Sequence, residues 1–155
     1  MQLGRITAVT ITSPDLDRVI DIYSKYLGYR FISSTTVSAE QAKRWDAENI
    51  EGSKMIFMSP ESSNDFFFRF IQQDIDEDYV PFGTYGWNAA ELIVKDVDQS
   101  AEKLIGSPFE VIGEPADLSF TDQIRAMQIL GPSKEIIYLT QFKSKLDEFD
   151  SPSPR

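Results

Sequence analysis

The chain has 155 residues, a length that suits one compact domain or two small modules sharing a core. Its net charge of −10 repels phosphate backbones and anionic lipid, so we expect neither nucleic acid nor a membrane as a partner. The sequence has no Cys and no His, which excludes disulfides, thiolate metal sites, cysteine nucleophiles and Ser-His-Asp triads. No apolar run reaches transmembrane length and no secretion signal is evident, so we expect a cytoplasmic protein.

The first half of the chain carries strand and helix patterns in turn. Ser13 is the predicted N-cap of a helix with one apolar face, and Gly28 is its predicted C-terminal stop. That face consists of Leu16, Val19, Ile20 and Tyr23. Strands are predicted over 6–12, 29–37, 54–58 and 65–72, with a short polar helix over 39–48 around Trp45.

The same pattern restarts after an acidic connector. A strand over 87–94 leads to a helix that opens at Asp96 and closes at Gly106. The remaining strands are predicted over 109–112, 123–130 and 135–142, with a tight turn at Gly131 and Pro132. Residues 12–17 and 93–98 are the corresponding strand-to-helix junctions, so the chain contains an internal repeat.

This repeat predicts how the chain is organised. We expect a first module over 1–73, an acidic linker over 74–86, a second module over 87–142 and a polar, flexible tail over 143–155. Two related half-sheets must bury their apolar faces, so we expect them to pair about a pseudo-two-fold axis.

The doubled motif resembles the glyoxalase/bleomycin-resistance/extradiol-dioxygenase proteins, also called the vicinal oxygen chelate superfamily. The resemblance lies in the Asp-Leu-Asp helix start at 15–17, the Leu-Gly-Tyr helix end at 27–29 and the final hairpin around Gly131 and Pro132, and it covers 6–142. It implies an α+β fold in which two tandem βαβββ modules form a curved mixed sheet around a cleft, and a homodimer. A ferredoxin-like α+β sandwich is the alternative fold.

The resemblance also predicts which positions would hold a metal ion. In that family the first strand of each module commonly carries a ligating His, seven residues before the helix-opening Asp, and the last strand commonly carries a ligating Glu. The matching positions here are Ala8 and Ala89 on the first strands, and Arg69 and Tyr138 on the last. Alanine cannot coordinate a metal and arginine repels a cation, so we expect a metal-free protein with no cofactor. Metal-dependent glyoxalase or dioxygenase activity is not expected.

Strand alternation predicts which side chains share the cleft with those positions. Thr10, Glu91 and Thr140 lie on the same faces as Ala8, Ala89 and Tyr138, and Ile71 shares a face with Arg69. Glu91, Arg69 and Tyr138 are the candidate catalytic residues. The candidate ligand-binding residues are Ala8, Thr10, Phe67, Trp87, Ala89, Phe120 and Thr140. The aromatic side chains Phe67, Tyr85, Trp87 and Phe120 have two interpretations, as ligand platforms or as core residues, and the core interpretation is favoured.

Arg69 and Glu91 also have two interpretations. In the first, they form an ion pair that fills the place of the family's metal ion, since a charge left alone in a cleft is costly. Alternatively, Arg69 grips a carboxylate or enolate oxygen while Tyr138 donates a hydrogen bond and Glu91 acts as a base. The residues alone leave both interpretations open.

Three functions remain compatible with the sequence. The first is a metal-independent protein of the bleomycin-resistance type that binds an aromatic or amphipathic small molecule. The second is a metal-independent isomerase or lyase that uses Glu91 as base. The third is a structural or interaction module. The acidity favours a cationic ligand, whereas Arg69 favours an anionic group at the ligand's buried end.

Overall fold

The computed structural model describes residues 6–62, 65–83 and 85–144. The chain divides into two compact units, residues 1–83 and 84–155. Each unit contains one four-stranded sheet. Of the predicted polar tail 143–155, all but the first two residues lie outside the described part of the chain.

The elements follow one another in the predicted order. Unit 1 contains β1 (Ala8–Ser13), α1 (Leu16–Leu27), β2 (Tyr29–Thr36), α2 (Ala39–Arg44), a 3₁₀ turn (Glu48–Ile50), β3 (Lys54–Pro60) and β4 (Phe67–Gln72). Unit 2 contains β5 (Ala89–Ile93), α3 (Val97–Leu104), β6 (Glu110–Leu118), β7 (Thr121–Leu130) and β8 (Ile136–Phe142). The strand predicted over 109–112 is therefore much longer, and the one predicted over 87–94 is shorter.

Both sheets have the same topology. The strand orders are β1-β4-β3-β2 and β5-β8-β7-β6. In each sheet the first strand runs parallel to the last, and the other neighbours are antiparallel. This order confirms the predicted α+β fold of two tandem βαβββ modules, in place of the ferredoxin-like alternative.

The two modules begin their first helices in the same way. The Asp15 carboxylate accepts the backbone N–H of Arg18 at 2.9 Å, and the Asp96 carboxylate accepts that of Gln99 at 2.9 Å. The prediction of Ser13 as N-cap was wrong, because Ser13 is the last residue of β1 and pairs with β4. The left-handed backbone predicted at the helix end is present at Gly28, where φ is 67°.

An aromatic cluster joins α1 to the sheet of unit 1. Tyr23 on α1 meets Phe70 and Phe68 edge-on, with ring centroids 4.9 and 5.6 Å apart, and all three side chains are fully buried. Tyr29 completes the cluster, and burial raises the pKa of its phenol. Since Phe68 and Phe70 point toward α1, the alternate positions Phe67 and Arg69 point to the other face.

Part of that other face is covered by the segment that follows β2. The helix predicted over 39–48 ends early at Arg44, and Asp46 takes a positive φ of 53° before the 3₁₀ turn. This reversal returns the chain over the sheet, where a small core forms from Val37, Ala42, Ile50, Met55 and Ile71. Ile71 is 1% exposed because this core covers it on the face that it shares with Arg69.

In unit 2 a tight turn joins β7 to β8. Gly131 accepts the backbone N–H of Lys134 and donates its own to Glu135, and the Ser133 N–H donates to the Glu135 carboxylate at 2.8 Å. A Cβ at Gly131 would overlap that carboxylate. A side chain at this position would therefore displace the Glu135 carboxylate from the Ser133 N–H. The turn brings β7 and β8 into the register that pairs Gln128 with Tyr138.

A charged network binds α3 to the sheet of unit 2. Arg125 on β7 holds the Asp98 carboxylate through two nitrogens, at 2.8 and 2.9 Å. Asp117 on β6 accepts from Lys143 at 2.6 Å and lies 3.4 Å from Arg125. The hydrogen bond from Arg125 lowers the pKa of the Asp98 carboxyl, and that from Lys143 lowers the pKa of Asp117.

This network predicts a loss of stability in acid. A carboxyl whose pKa is lower in the folded state stabilises the fold above the unfolded pKa of about 4 and loses that contribution as the pH falls through the folded value. Arg125→Met removes the main partner of Asp98 and one of the two partners of Asp117. Urea unfolding at pH 7 and pH 3 should therefore show a smaller drop in stability for the variant than for the wild type. An equal drop in both proteins would contradict this role of Arg125.

Candidate functional site

A pocket lies on one face of the sheet in unit 2. Its volume is about 360 Å³, and its lining consists of Ala89, Glu91, Leu118, Ala126, Tyr138 and Thr140. Arg125, the neighbour of Ala126, points to the opposite face and holds Asp98 of α3. The pocket therefore lies on the face that α3 leaves uncovered.

Strand register brings the polar lining residues together. Glu91 on β5 is opposite Tyr138 on β8, and Tyr138 is opposite Gln128 on β7. Opposed positions on neighbouring strands point to the same face, so these three side chains form a polar row across the sheet. Thr140 and Ala126 oppose each other in the next row.

Glu91 is held by a buried neighbour. The Thr140 hydroxyl donates to Glu91 Oε1 at 2.8 Å, and the Thr140 side chain is only 2% exposed. The Glu91 side chain itself is open to solvent. Among the described residues of unit 2, Lys or Arg side chains form no ion pair with Glu91. The pocket thus holds an oriented carboxylate that the described basic side chains of its own unit do not neutralise.

Unit 1 carries a charged side chain, Arg69, on the corresponding pair of strands in its own sheet. Arg69 on β4 is opposite Thr10 on β1 and donates from Nε to the Thr10 hydroxyl at 2.9 Å. Its guanidinium carbon lies 4.8 Å from the ring centre of Trp45, a stacked cation–π arrangement. Partial burial lowers the pKa of the Arg69 guanidinium. An anion beside it would offset that desolvation.

The predicted site residues fall into two groups, one in each unit. Ala8, Thr10, Phe67 and Arg69 lie on the paired strands β1 and β4. Ala89, Glu91, Tyr138 and Thr140 lie on the paired strands β5 and β8. Arg69 has its hydrogen-bond partner in unit 1 and Glu91 has its own in unit 2. The meeting of the two groups in one cleft stays a prediction, as does an Arg69–Glu91 ion pair.

The aromatic candidates are less buried than the favoured interpretation required. Trp87 is 95% exposed and precedes β5, Tyr85 is fully exposed, and Phe120 is 79% exposed in the turn between β6 and β7. The core interpretation was wrong for these three, because all of them lie outside the strands and beyond the reach of sheet packing. Phe67 is half-buried on β4, where its ring meets that of Phe57.

Sequence reasoning missed three residues that shape these sites. Trp45 was noticed only as the aromatic centre of a polar helix; it lies at the end of α2, which packs over the face of the sheet that carries Arg69. Leu118 lies on the part of β6 that the sequence did not predict, and Ala126 lines the pocket because it opposes Thr140. The alternation of side chains along β7 was the one feature of the sequence that could have placed Ala126 on the pocket's face.

The residues at the positions implied for a metal do not suit one. Ala8 and Ala89 have no donor atom, Arg69 carries positive charge, and Tyr138 offers a neutral phenol. In the described residues, groups of three or more His, Cys, Asp or Glu side chains that could hold a metal ion are absent. Among the same residues, we find no helix with the length and apolarity needed to cross a membrane.

Comparison with known proteins supports the fold. No protein-family model matches the chain, and a search among curated proteins finds no match. A solved glyoxalase family protein from Bacillus cereus is similar over 93% of this chain and 97% of its own, with 18% identity and a TM-score of 0.69. A fosfomycin resistance protein from Listeria monocytogenes, complexed with manganese(II) and sulfate, is similar over 96% and 98%, with 14% identity and a TM-score of 0.60.

A third solved structure gives the same result. A glyoxalase/bleomycin resistance protein/dioxygenase from Alicyclobacillus acidocaldarius is similar over 91% of this chain and 93% of its own, with 11% identity and a TM-score of 0.60. The chain thus has the fold of the glyoxalase/bleomycin-resistance/dioxygenase superfamily, as its doubled motif predicted. At these identities the likeness defines the fold, and the chemistry depends on this chain's own residues.

The contact between Arg69 and Trp45 should make a measurable contribution to the free energy of unfolding. In a double-mutant cycle of Trp45→Leu and Arg69→Met, we expect a coupling of about 0.5–1 kcal/mol in the free energy of urea unfolding. Trp87→Leu is the matched control, because Trp87 is almost fully exposed, and it should change stability by less than about 0.5 kcal/mol. Additive effects of the two substitutions would show that the contact contributes nothing.

Proposed function

We propose that this protein binds a small aromatic or amphipathic molecule without a metal ion, in the manner of a bleomycin-resistance-type binding protein. The observation that carries the proposal is the pocket on the sheet of unit 2. It combines a fixed carboxylate, Glu91, with a phenol, Tyr138, and small apolar side chains. Ligand sites in proteins are characteristically apolar concavities with a few oriented polar groups.

The size of the pocket limits its ligand. Ligand pockets have volumes of about 300–1,000 Å³, and the volume here, about 360 Å³, is at the lower end. Ala89 and Ala126 leave room close to the sheet, and Leu118 supplies an apolar side wall. A single ring or a short branched chain with one polar head matches these dimensions.

Arg69 favours a second contact, with an anionic group of the same ligand. Its Nε donates to Thr10 and its guanidinium carbon lies over the Trp45 ring, so two contacts orient the guanidinium. A planar, oriented guanidinium is suited to gripping a carboxylate through its terminal nitrogens. That Arg69 and the pocket of unit 2 serve one ligand is part of the proposal, and so is a homodimer.

Filling the pocket should weaken ligand binding. Ala126→Phe places a ring beside Thr140, so we expect it to weaken ligands found by a thermal-shift screen about tenfold or more in isothermal titration calorimetry. Gln99→Phe is the control, because it adds the same ring on the exposed face of α3. If a chemically diverse screen finds no ligand, or if Ala126→Phe binds as well as the wild type, the proposal fails.

A second candidate function is a metal-independent isomerase or lyase that acts on an acidic substrate. It is favoured by the register that puts the Glu91 carboxylate opposite the Tyr138 phenol in an open pocket. Glu91 would take a proton from carbon next to a carbonyl, while Tyr138 and Arg69 would stabilise the resulting oxyanion.

The enzyme function makes its own prediction. Glu91→Gln keeps the shape of the side chain but removes the base, so turnover should fall about 10²–10⁴-fold while ligand binding persists. Incubation of candidate acids with each protein, followed by mass spectrometry, measures this. Glu102→Gln on α3 is the control with the same change in net charge. Turnover that survives in Glu91→Gln would remove Glu91 from the mechanism, and ligands recovered unchanged by the wild type would favour binding alone.

A further inference from the structure

Among the described residues that line the pocket of unit 2, Glu91 alone is charged, and we propose that this carboxylate selects organic cations. The ligand would be a protonated amine with a short apolar or aromatic body. The ammonium would lie against Glu91 and Tyr138, and the body would rest on Ala89, Leu118 and Ala126. This inference rests on the proposed small-molecule binding and names the class of ligand.

The carboxylate is organised in advance for such a ligand. Thr140 donates to Glu91 Oε1 at 2.8 Å, and Thr140 is held in place by its burial on β8. This hydrogen bond orients the carboxylate of a residue that lines the pocket, and Oε2 remains as a further acceptor. A binding group that is already oriented costs less side-chain entropy when the ligand arrives.

Basic side chains of unit 2 that bind carboxylates in the structure do so on the other face of the sheet. Arg125 and Lys143 hold Asp98 and Asp117, next to α3. Among the described residues of unit 2, Glu91 forms no ion pair with Lys or Arg. An ammonium in the pocket would therefore meet a carboxylate that these side chains leave available, whereas a carboxylate ligand would be repelled by it.

The remaining lining residues suit a cation that carries carbon. Tyr138 offers an oxygen acceptor and the face of an aromatic ring, to which an ammonium is attracted. Ala89, Leu118 and Ala126 offer no hydrogen-bond donors beyond the sheet's own backbone. A metal cation would find too few ligands here, since Glu91 is the one carboxylate among the lining residues.

The charge of the whole protein acts in the same direction. With a net charge of −10, the molecule attracts cations and speeds their arrival at an acidic pocket. The ammonium would be bound by Glu91, and an anionic group elsewhere on the same ligand would be bound by Arg69, as in the proposed function.

Three probes of similar shape test the inference. Phenethylamine carries an ammonium at neutral pH, phenethyl alcohol is neutral and hydrocinnamate is an anion. By isothermal titration calorimetry on the full chain, we expect the amine to bind about tenfold or more tightly than either of the others. Raising the salt concentration should weaken the amine selectively, because exposed charge pairs are screened.

Variants of the carboxylate decide whether Glu91 is responsible. Glu91→Gln should weaken the amine about tenfold and leave the alcohol unchanged, while Glu102→Gln, which loses the same charge on α3, should leave both unchanged. Glu91→Asp keeps the charge and shortens the side chain, so it should bind the amine less tightly and still prefer it to the alcohol. Circular dichroism of each variant checks that the fold is intact.

Several results would overturn the inference. The alcohol or the anion binding as tightly as the amine would do so, as would a preference for the amine that survives in Glu91→Gln. Failure of the amine to bind at millimolar concentration would also overturn it. If a neutral or anionic ligand binds and Ala126→Phe blocks it, only the preference for cations falls. If Ala126→Phe affects no ligand, the proposed function of the pocket falls as well.

Discussion

The parallel pairing of the first and last strands of each module is the constraint on which the candidate sites depend. It brings together residues about 60 positions apart in unit 1 and about 50 apart in unit 2, and it does so in register. Thr10 thereby faces Arg69, and Glu91 faces Tyr138. The two members of each pair lie at opposite ends of their module in the sequence, so only the pairing of these strands brings them together.

Each module uses this pairing to hold a charge of opposite sign. In unit 1 a hydroxyl and an indole ring orient the guanidinium of Arg69, and in unit 2 a buried hydroxyl orients the carboxylate of Glu91. A charged side chain near a sheet loses part of its hydration, so a polar neighbour that fixes it also offsets that cost. The repeat therefore conserves the architecture while the two modules differ in the chemistry that they present.

The absence of donor atoms at Ala8 and Ala89 changes what the fold can do. A metal ion would supply a strong fixed charge, and the residues here offer instead one oriented cation and one oriented anion. These groups act through ion pairs and hydrogen bonds, which depend on the charge of the ligand's own substituents. Under the proposed function, a ligand would accordingly be recognised by its charge and shape.

By itself, the sequence determined the doubled βαβββ order, the helix start at Asp96, the helix stop at Gly28 and the faces of the paired strands. These features follow from rules that act over a few residues, such as capping, glycine conformation and alternation. Only the tertiary structure decided that Ile71 is covered, that Trp45 stacks on Arg69 and that Leu118 lines a pocket. Those contacts depend on how a reversed segment and a lengthened strand pack against distant residues, and no local pattern encodes that packing.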